Sequence, residues 1–334
     1  MYSIIKKTGL LVVLLVFCLG SLEAAKINKD EYERLRVTDK LLRAHIGEME
    51  TEFEASPTLN KYKVEYFACV ASKQPKPVAA GEMSKRINQA RFVFLGDEHT
   101  TVASQKATLK VIGIMLKKKA PLTLVLEWID ESHQKDVDLY LGGKLALKAL
   151  QKKINFDKDW GFTWSSYAKI LAAAKKYRLP VLLVERLKKR HSLSERDAYI
   201  AKKLAADAAA NPKMRYLTIY GEYHLIGPEH LTHKCSKLGL KPQIIMVGEA
   251  AETYWQLLAK TMDPEKIGFA HLKKDLYYIN AGTPLERSFS YRNYLMDILG
   301  YEPEDFGDDL RKADIVPQSA AAVRFDQLHK PPAN

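Results

Sequence analysis

From residue 91 onward the chain sets short apolar runs against longer segments of mixed polarity. The runs are "RFVFLG" (91–96), "LTLVLEW" (122–128), "VLLVER" (181–186), "MRYLTIYG" (214–221) and "PQIIMVGE" (242–249). Each is four to eight residues of near-continuous hydrophobicity, the pattern of a strand buried on both faces. The segments between them read as helices. "TTVASQKATLKVIGIMLKKK" has a thin polar face, and "ESHQKDVDLYLGG" closes on glycines. "TWSSYAKILAAAKKYRL" stops at Pro180, and "SLSERDAYIAKKLAADAAAN" opens on a serine cap with a glutamate three residues on. "PEHLTHKCSKLG" has proline at its start and glycine past its end. Strand and helix therefore alternate, which predicts an α/β fold: a mostly parallel sheet flanked by helices on both faces. The later stretch "GFAHLKKDLYYINAGTPLERSFSYRNYLMDILGY" is read as an edge strand pair and a packing helix.

The flanks follow other patterns. Residues 29–55 are charged with recurring Leu, Ile and Met, which predicts a helix or helical hairpin, and "SKQPKPVAAGEM" reads as a linker. Neither shows chemistry of its own. The first residues carry two lysines, an apolar run and then small residues around Ala24 and Ala25, the layout of a secretory signal. The apolar run is short of the ~20 residues that span a membrane. Cys18 suggests a lipid attachment site, but bulky Phe17 precedes it. The division expected is a signal peptide at 1–25, a helical segment and linker at 26–80, an α/β unit at 81–300 and a tail at 301–334.

Composition narrows the classes. The 334 residues are 28% charged and 47% hydrophobic, as in globular proteins. Net charge is +12, and loss of Lys6, Lys7 and Glu23 with a leader changes it only to +11. Such a balance favours anionic ligands or anionic membrane surfaces. The lysines are scattered and no nucleic-acid module is recognisable, so nucleic acid is not an expected partner. Beyond the leader only Cys69 and Cys235 remain, enough for one disulfide but not for a disulfide scaffold or a zinc motif. No Gly-rich phosphate loop and no Gly-x-Ser-x-Gly elbow is present.

Ligands of open parallel sheets bind beyond the carboxyl ends of the strands. The first strand ends in Gly96, Asp97, Glu98 and His99; the second in Glu127; the third in Glu185 and Arg186; the fourth in Gly221, Glu222, Tyr223 and His224; the fifth in Gly248 and Glu249. Two ends share the form Gly-x-x-His, with the glycine expected to turn the chain sharply off the strand. Imidazole is a metal ligand and also an acid or base near neutral pH. Capping of loops and helix starts is the bland reading of the histidines and of Asp97 and Glu98. Glu127 ends a strongly apolar strand, where an unpaired charge is costly, so a partner or ligand is expected. Arg186 is read either as the ion-pair partner of Glu127 or Asp97 or as a clamp for a ligand carboxylate. His230 and His233 share a helix face, but "EHLTH" is not a zinc-protease motif.

"FVFLGDEH", "LVLEW", "WSSYAKILAAAKKYRLPV" and "YGEYHLIG", in this order, resemble the ChaN-like haem-binding family of the Tiki superfamily, which includes TraB-type proteins and erythromycin esterases. The resemblance covers about residues 82–250. The family's first motif usually reads Gly-Glu-x-His; here Asp97 stands where the glutamate would be and reaches less far. Glu127, Gly221 and His224 match directly, and Arg186 or Arg190 matches the arginine after the third strand. The resemblance implies one of two functions. ChaN-like members are exported and carry haem, with tyrosine ligation at a dimer interface. Tyr223 would then be a candidate ligand, though the family motif does not fix that tyrosine, in a cofactor site with Gly96, Asp97, His99, Gly221 and His224. Tiki-like members are metal-dependent proteases, and esterase relatives use His and Glu to activate water. On that reading His99, His224, Asp97 and Glu127 would hold a divalent ion, Glu98 or Glu127 would act as general base, and Arg186 would steady an anionic transition state.

Overall fold

The computed structural model describes residues 26–52, 57–71, 74–187 and 192–300. The signal-like start, Arg190 and the tail lie outside the described residues. Eight strands occur among those described: β1 (Lys76–Val78), β2 (Phe92–Asp97), β3 (Leu122–Asp130), β4 (Val181–Glu185), β5 (Arg215–Gly221), β6 (Ile244–Val247), β7 (Phe269–Lys273) and β8 (Leu276–Ile279). They form one sheet in the order β1-β7-β8-β6-β2-β5-β3-β4. The six strands from β8 to β4 run parallel, and only the pairs β1–β7 and β7–β8 are antiparallel.

Alternation along the strands explains the continuous apolar runs. On β2, Val93 and Leu95 face one core with Leu124, Leu126, Leu217 and Ile219. Phe92 and Phe94 face the other with Val125, Val184, Tyr216 and Tyr220. Helices cover both faces, so neither set of side chains meets water. The Leu193–Ala210 helix begins with the predicted capping box of Ser192 and Glu195. Cys69 and Cys235 are both free thiols, so no disulfide joins them.

The segment read as a linker is structured. Lys76–Val78 is the outer strand β1, and Ala80–Gln89 is a helix. Pro77 lacks a backbone N–H, which an outer strand tolerates. Met83 and Ile87, one helical turn apart, are fully buried and hold that helix on the sheet. The predicted strand pair is β7 and β8, but β1 closes the sheet outside β7.

Upstream, residues 29–55 give one helix, Lys29–Glu52, and a second helix runs Pro57–Val70. The first buries Leu42, Ile46 and Met49 against Leu295 and Met296 of the Pro284–Leu299 helix. The second sends Tyr66 and Val70 into the core shared with β5 and β6. Both N-terminal helices thus lie over the carboxyl edge of the sheet. Among the described residues no helix is long and apolar enough to cross a membrane.

Candidate functional site

Register brings the strand ends together. Asp97 of β2 pairs with Gly221 of β5, and β3 lies on the far side of β5. Asp97 is buried and fully committed. Its Oδ2 accepts from the Tyr167 hydroxyl at 2.7 Å and faces His99 Nδ1 at 3.0 Å. Its Oδ1 accepts from Ser104 at 3.0 Å and Gln105 at 2.8 Å. Burial pushes this carboxyl up, but the His99, Tyr167 and Gln105 bonds together hold it below its ordinary value. His99 is raised: burial opposes its charge, and Asp97 and Glu127 outweigh that. With Nδ1 tied to Asp97, His99 Nε2 looks inward, 3.9 Å from Glu127 Oε2. The imidazole is 24% exposed, with Trp160 and Phe162 beside it at 4.7 and 5.1 Å between ring centres.

The second histidine is built the same way from other elements. His224 Nδ1 meets Asp197 Oδ1 at 2.7 Å, and Asp197 comes from the start of the Leu193–Ala210 helix. Asp197 Oδ2 accepts from the Tyr62 hydroxyl at 3.0 Å. Both imidazoles act electrostatically on Glu127, whose Oε2 accepts from Gly221 N–H at 2.6 Å. Burial raises the Glu127 carboxyl, and His99, His224 and Arg196 oppose that rise. Arg196 bonds Glu185 through two nitrogens at 3.2 and 2.8 Å and lies 3.6 Å from Glu127.

A buried charge cluster joins the two halves. Arg287, 2% exposed, contacts Glu98 at 2.8 Å and Glu249 at 3.5 Å. Both contacts are ion pairs. Burial raises Glu98 against the pull of Arg287, with Glu249 and Glu222 adding to the rise. Glu222 accepts from Gly248 N–H at 2.8 Å, Glu249 N–H at 2.7 Å and the Tyr66 hydroxyl at 2.7 Å. Arg43 of the first helix reaches Glu249 at 3.0 Å.

The strand-end glycines serve closeness, not a sharp turn. Neither Gly96 nor Gly221 has a positive φ. A Cβ at Gly96 would overlap the Glu222 side chain, and one at Gly221 would lie 3.2 Å from His99 Nε2. The motif pairs a histidine with a gap in the opposing strand, and each glycine makes room for the other motif's side chain.

The sequence-named residues are mostly together: Asp97, His99, Glu127, Gly221 and His224 meet at the carboxyl edge of the sheet, where a parallel sheet forms its crevice, with Glu98 and Glu222 in the adjoining cluster. Arg186 is elsewhere. Its Nε bonds Glu131 at 2.7 Å, and its guanidinium lies 3.4 Å over the Tyr199 ring. It meets neither Glu127 nor Asp97; Arg196, in the first turn of the next helix, is the arginine near Glu127. Tyr223 packs on Tyr66 and Phe67, and burial with the nearby Glu249 and Glu98 keeps its phenol well above the ordinary value. His230 is buried against Tyr62 and Glu65, while His233 is 46% exposed, so the two do not join His224. No group of three or more His, Cys, Asp or Glu suited to a metal ion occurs among the described residues. The carboxylates are already engaged by N–H, O–H and guanidinium donors.

Sequence reasoning missed Tyr62, Tyr66, Arg196, Asp197 and Arg287; Tyr167 stands in the quoted stretch "WSSYAKILAAAKKYRLPV" but is given no role there. One signal was available for two of them. Helices that follow a parallel strand start at the carboxyl edge, so the polar pair Arg196–Asp197 near the helix start faces the crevice. Tyr62 and Tyr66, one turn apart, gave no such cue.

A comparison with curated proteins finds no match. Among solved structures, one of cofacial haem binding to ChaN of Campylobacter jejuni is 14% identical, covering 61% of this chain and 92% of that one, with a TM-score of 0.41. The type III effector HopBA1 is 13% identical, covering 54% and 87%, with a TM-score of 0.41. The RRSP effector domain of a Vibrio vulnificus toxin is 15% identical, covering 55% and 37%, with a TM-score of 0.36. Residues 83–185, which carry the first motif, Glu127 and Glu185, match the family described as haem-binding uptake, Tiki superfamily, ChaN.

Proposed function

We propose that the protein is an exported haem-binding protein of the cell envelope, with haem lying on a strip of half-buried rings at the open, His99 end of the crevice. The strip is the observation that carries this reading. From His99 it continues through Trp160 and Phe162 to Tyr294, stacked on Phe162 at 5.0 Å and 26°, and to Tyr291, stacked on Tyr294 at 6.3 Å and 20°. A flat apolar macrocycle gains from such faces, and the net charge of +12 favours a dianionic ligand. The family match over residues 83–185 supports the same reading.

The donor chemistry selects among the candidate ligands. His99 Nε2 faces Glu127 and not the strip. Tyr223 stands beside Glu249 and Glu98, which disfavour a phenolate. Tyr294 lies within the strip, stacked between Phe162 and Tyr291; burial raises it too, but no carboxylate adds to that rise, so it is the phenol of the strip proposed to hold ferric iron. Haem, when bound, would supply the iron; the chain supplies the rings and the phenol. Titration of the purified protein with haemin is expected to shift the Soret band. Tyr294→Phe is expected to abolish that shift, and Tyr223→Phe to keep it. A Soret band that does not respond to the wild-type protein overturns the haem reading.

A second reading, hydrolysis without a metal, is favoured by one observation. Two imidazoles, each with Nδ1 fixed by an aspartate, are both placed to act electrostatically on Glu127. An aspartate in that position sets the tautomer and steadies the imidazolium that forms when a water is deprotonated. Cleavage of a 4-nitrophenyl ester that persists in EDTA and is lost in His99→Gln supports this; no cleavage above His99→Gln removes it.

A further inference from the structure

We infer that Tyr62, on the N-terminal helix Pro57–Val70, is a positioning residue for His224, so that the N-terminal helices complete the crevice. The argument is a correspondence between the two halves. At His99 the chain of bonds runs Tyr167 hydroxyl to Asp97 at 2.7 Å and Asp97 to imidazole Nδ1 at 3.0 Å. At His224 it runs Tyr62 hydroxyl to Asp197 at 3.0 Å and Asp197 to imidazole Nδ1 at 2.7 Å. Each aspartate thus receives one phenol and one imidazole. Tyr167 belongs to the helix that follows the first half of the sheet, whereas Tyr62 arrives from a segment about 135 positions before Asp197.

Tyr62 is itself clasped. Its ring stacks on His230 at 3.9 Å and 12°, and its edge meets His224 at 5.6 Å. His230 Nε2 bonds Glu65, on the same helix as Tyr62. Gly227 makes the clasp possible: its φ is +151°, and a Cβ there would overlap the His230 ring. A tyrosine that only filled space would need neither the directed hydroxyl bond nor a fixed ring plane. A carboxylate held by two donors keeps one orientation, and an imidazole bonded to it keeps one tautomer.

This inference goes beyond the haem reading and rests on the second one, that His99 and His224 are paired proton-handling groups. The test reads the imidazoles themselves, so it fails separately from any activity assay. The full chain is labelled with ¹⁵N-histidine, and the His224 and His99 ring signals are assigned from His224→Gln and His99→Gln. Tyr62→Phe is expected to displace the His224 Nδ1–H signal and leave His99 in place. Tyr167→Phe is expected to do the converse. His230→Gln, which removes the ring stacked on Tyr62 but breaks no hydrogen bond of Asp197, is expected to move His224 in the same direction as Tyr62→Phe and covers the case in which that variant does not fold. A His224 signal unchanged in Tyr62→Phe, or in His230→Gln if only that variant folds, overturns the inference even if Tm falls.

Discussion

The two histidines of the crevice have the same chemistry and opposite settings. His99 follows β2 directly, its aspartate is two residues away, and its ring is 24% exposed beside Trp160 and Phe162. His224 also follows its strand directly, but its aspartate comes from another helix and its tyrosine from the N-terminal segment; the ring is 10% exposed. One half has its histidine and aspartate in a single short stretch, receives Tyr167 from a later helix, and is left more open. The other is assembled from three distant parts and closed. The more closed half has a second layer over it, supplied by the helix Pro57–Val70 through Tyr62.

The largest test of this contrast is the charge cluster between the halves. Arg287→Ala leaves Glu98, Glu222 and Glu249 buried with only Arg43 nearby. Unfolding in urea is expected to show a loss of about 3–5 kcal/mol, the cost of stranding buried charge. A loss under about 1 kcal/mol would mean that the halves are not joined through Arg287.

Next comes the pH response of the open half. Asp97 is depressed in the folded protein, so its contribution is present above the unfolded carboxyl value of about 3.9 and is lost as pH falls through the depressed one. His99 is raised, so its contribution is complete below about 6.5 and is lost as pH rises through the raised value. Asp97→Asn is therefore expected to cost about 1–3 kcal/mol between those limits, and less on either side. Tm measured against pH for both proteins gives the difference. A gap independent of pH would show that Asp97 acts by packing alone.

The smallest effect is expected at Arg186. It pairs with Glu131 outside both halves, so Arg186→Ala is expected to cost no more than about 1 kcal/mol. Haemin titration and the His99 and His224 ring signals are expected to match the wild type. A large change in either would bring Arg186 back to the crevice.

Much of the open half was legible. "GDEH" sits at the end of β2 as predicted, and strand ends of a parallel sheet converge; Glu127 is inside β3, which runs on to Asp130 through an irregularity after Leu126. The strands themselves were legible because burial on both faces removes polar residues from the run. The "linker" was misread because Pro75 and Pro77 mask a strand that needs few N–H groups. Arg186 pairs with Glu131 and not with Glu127 or Asp97, because adjacency to the strand end says nothing about which way the side chain leaves it.

The sequence by itself determined the periodicities, and with them the sheet, its flanking helices and the edge at which both Gly-x-x-His motifs emerge. These are local consequences of where apolar residues fall. Tertiary structure alone decided that Gly96 and Gly221 make room for each other's motif, that Arg196 and Arg287 are the arginines of the site, and that Tyr62 reaches Asp197. Each of these depends on a contact between residues far apart in the chain, and no local pattern encodes a distance that only packing sets.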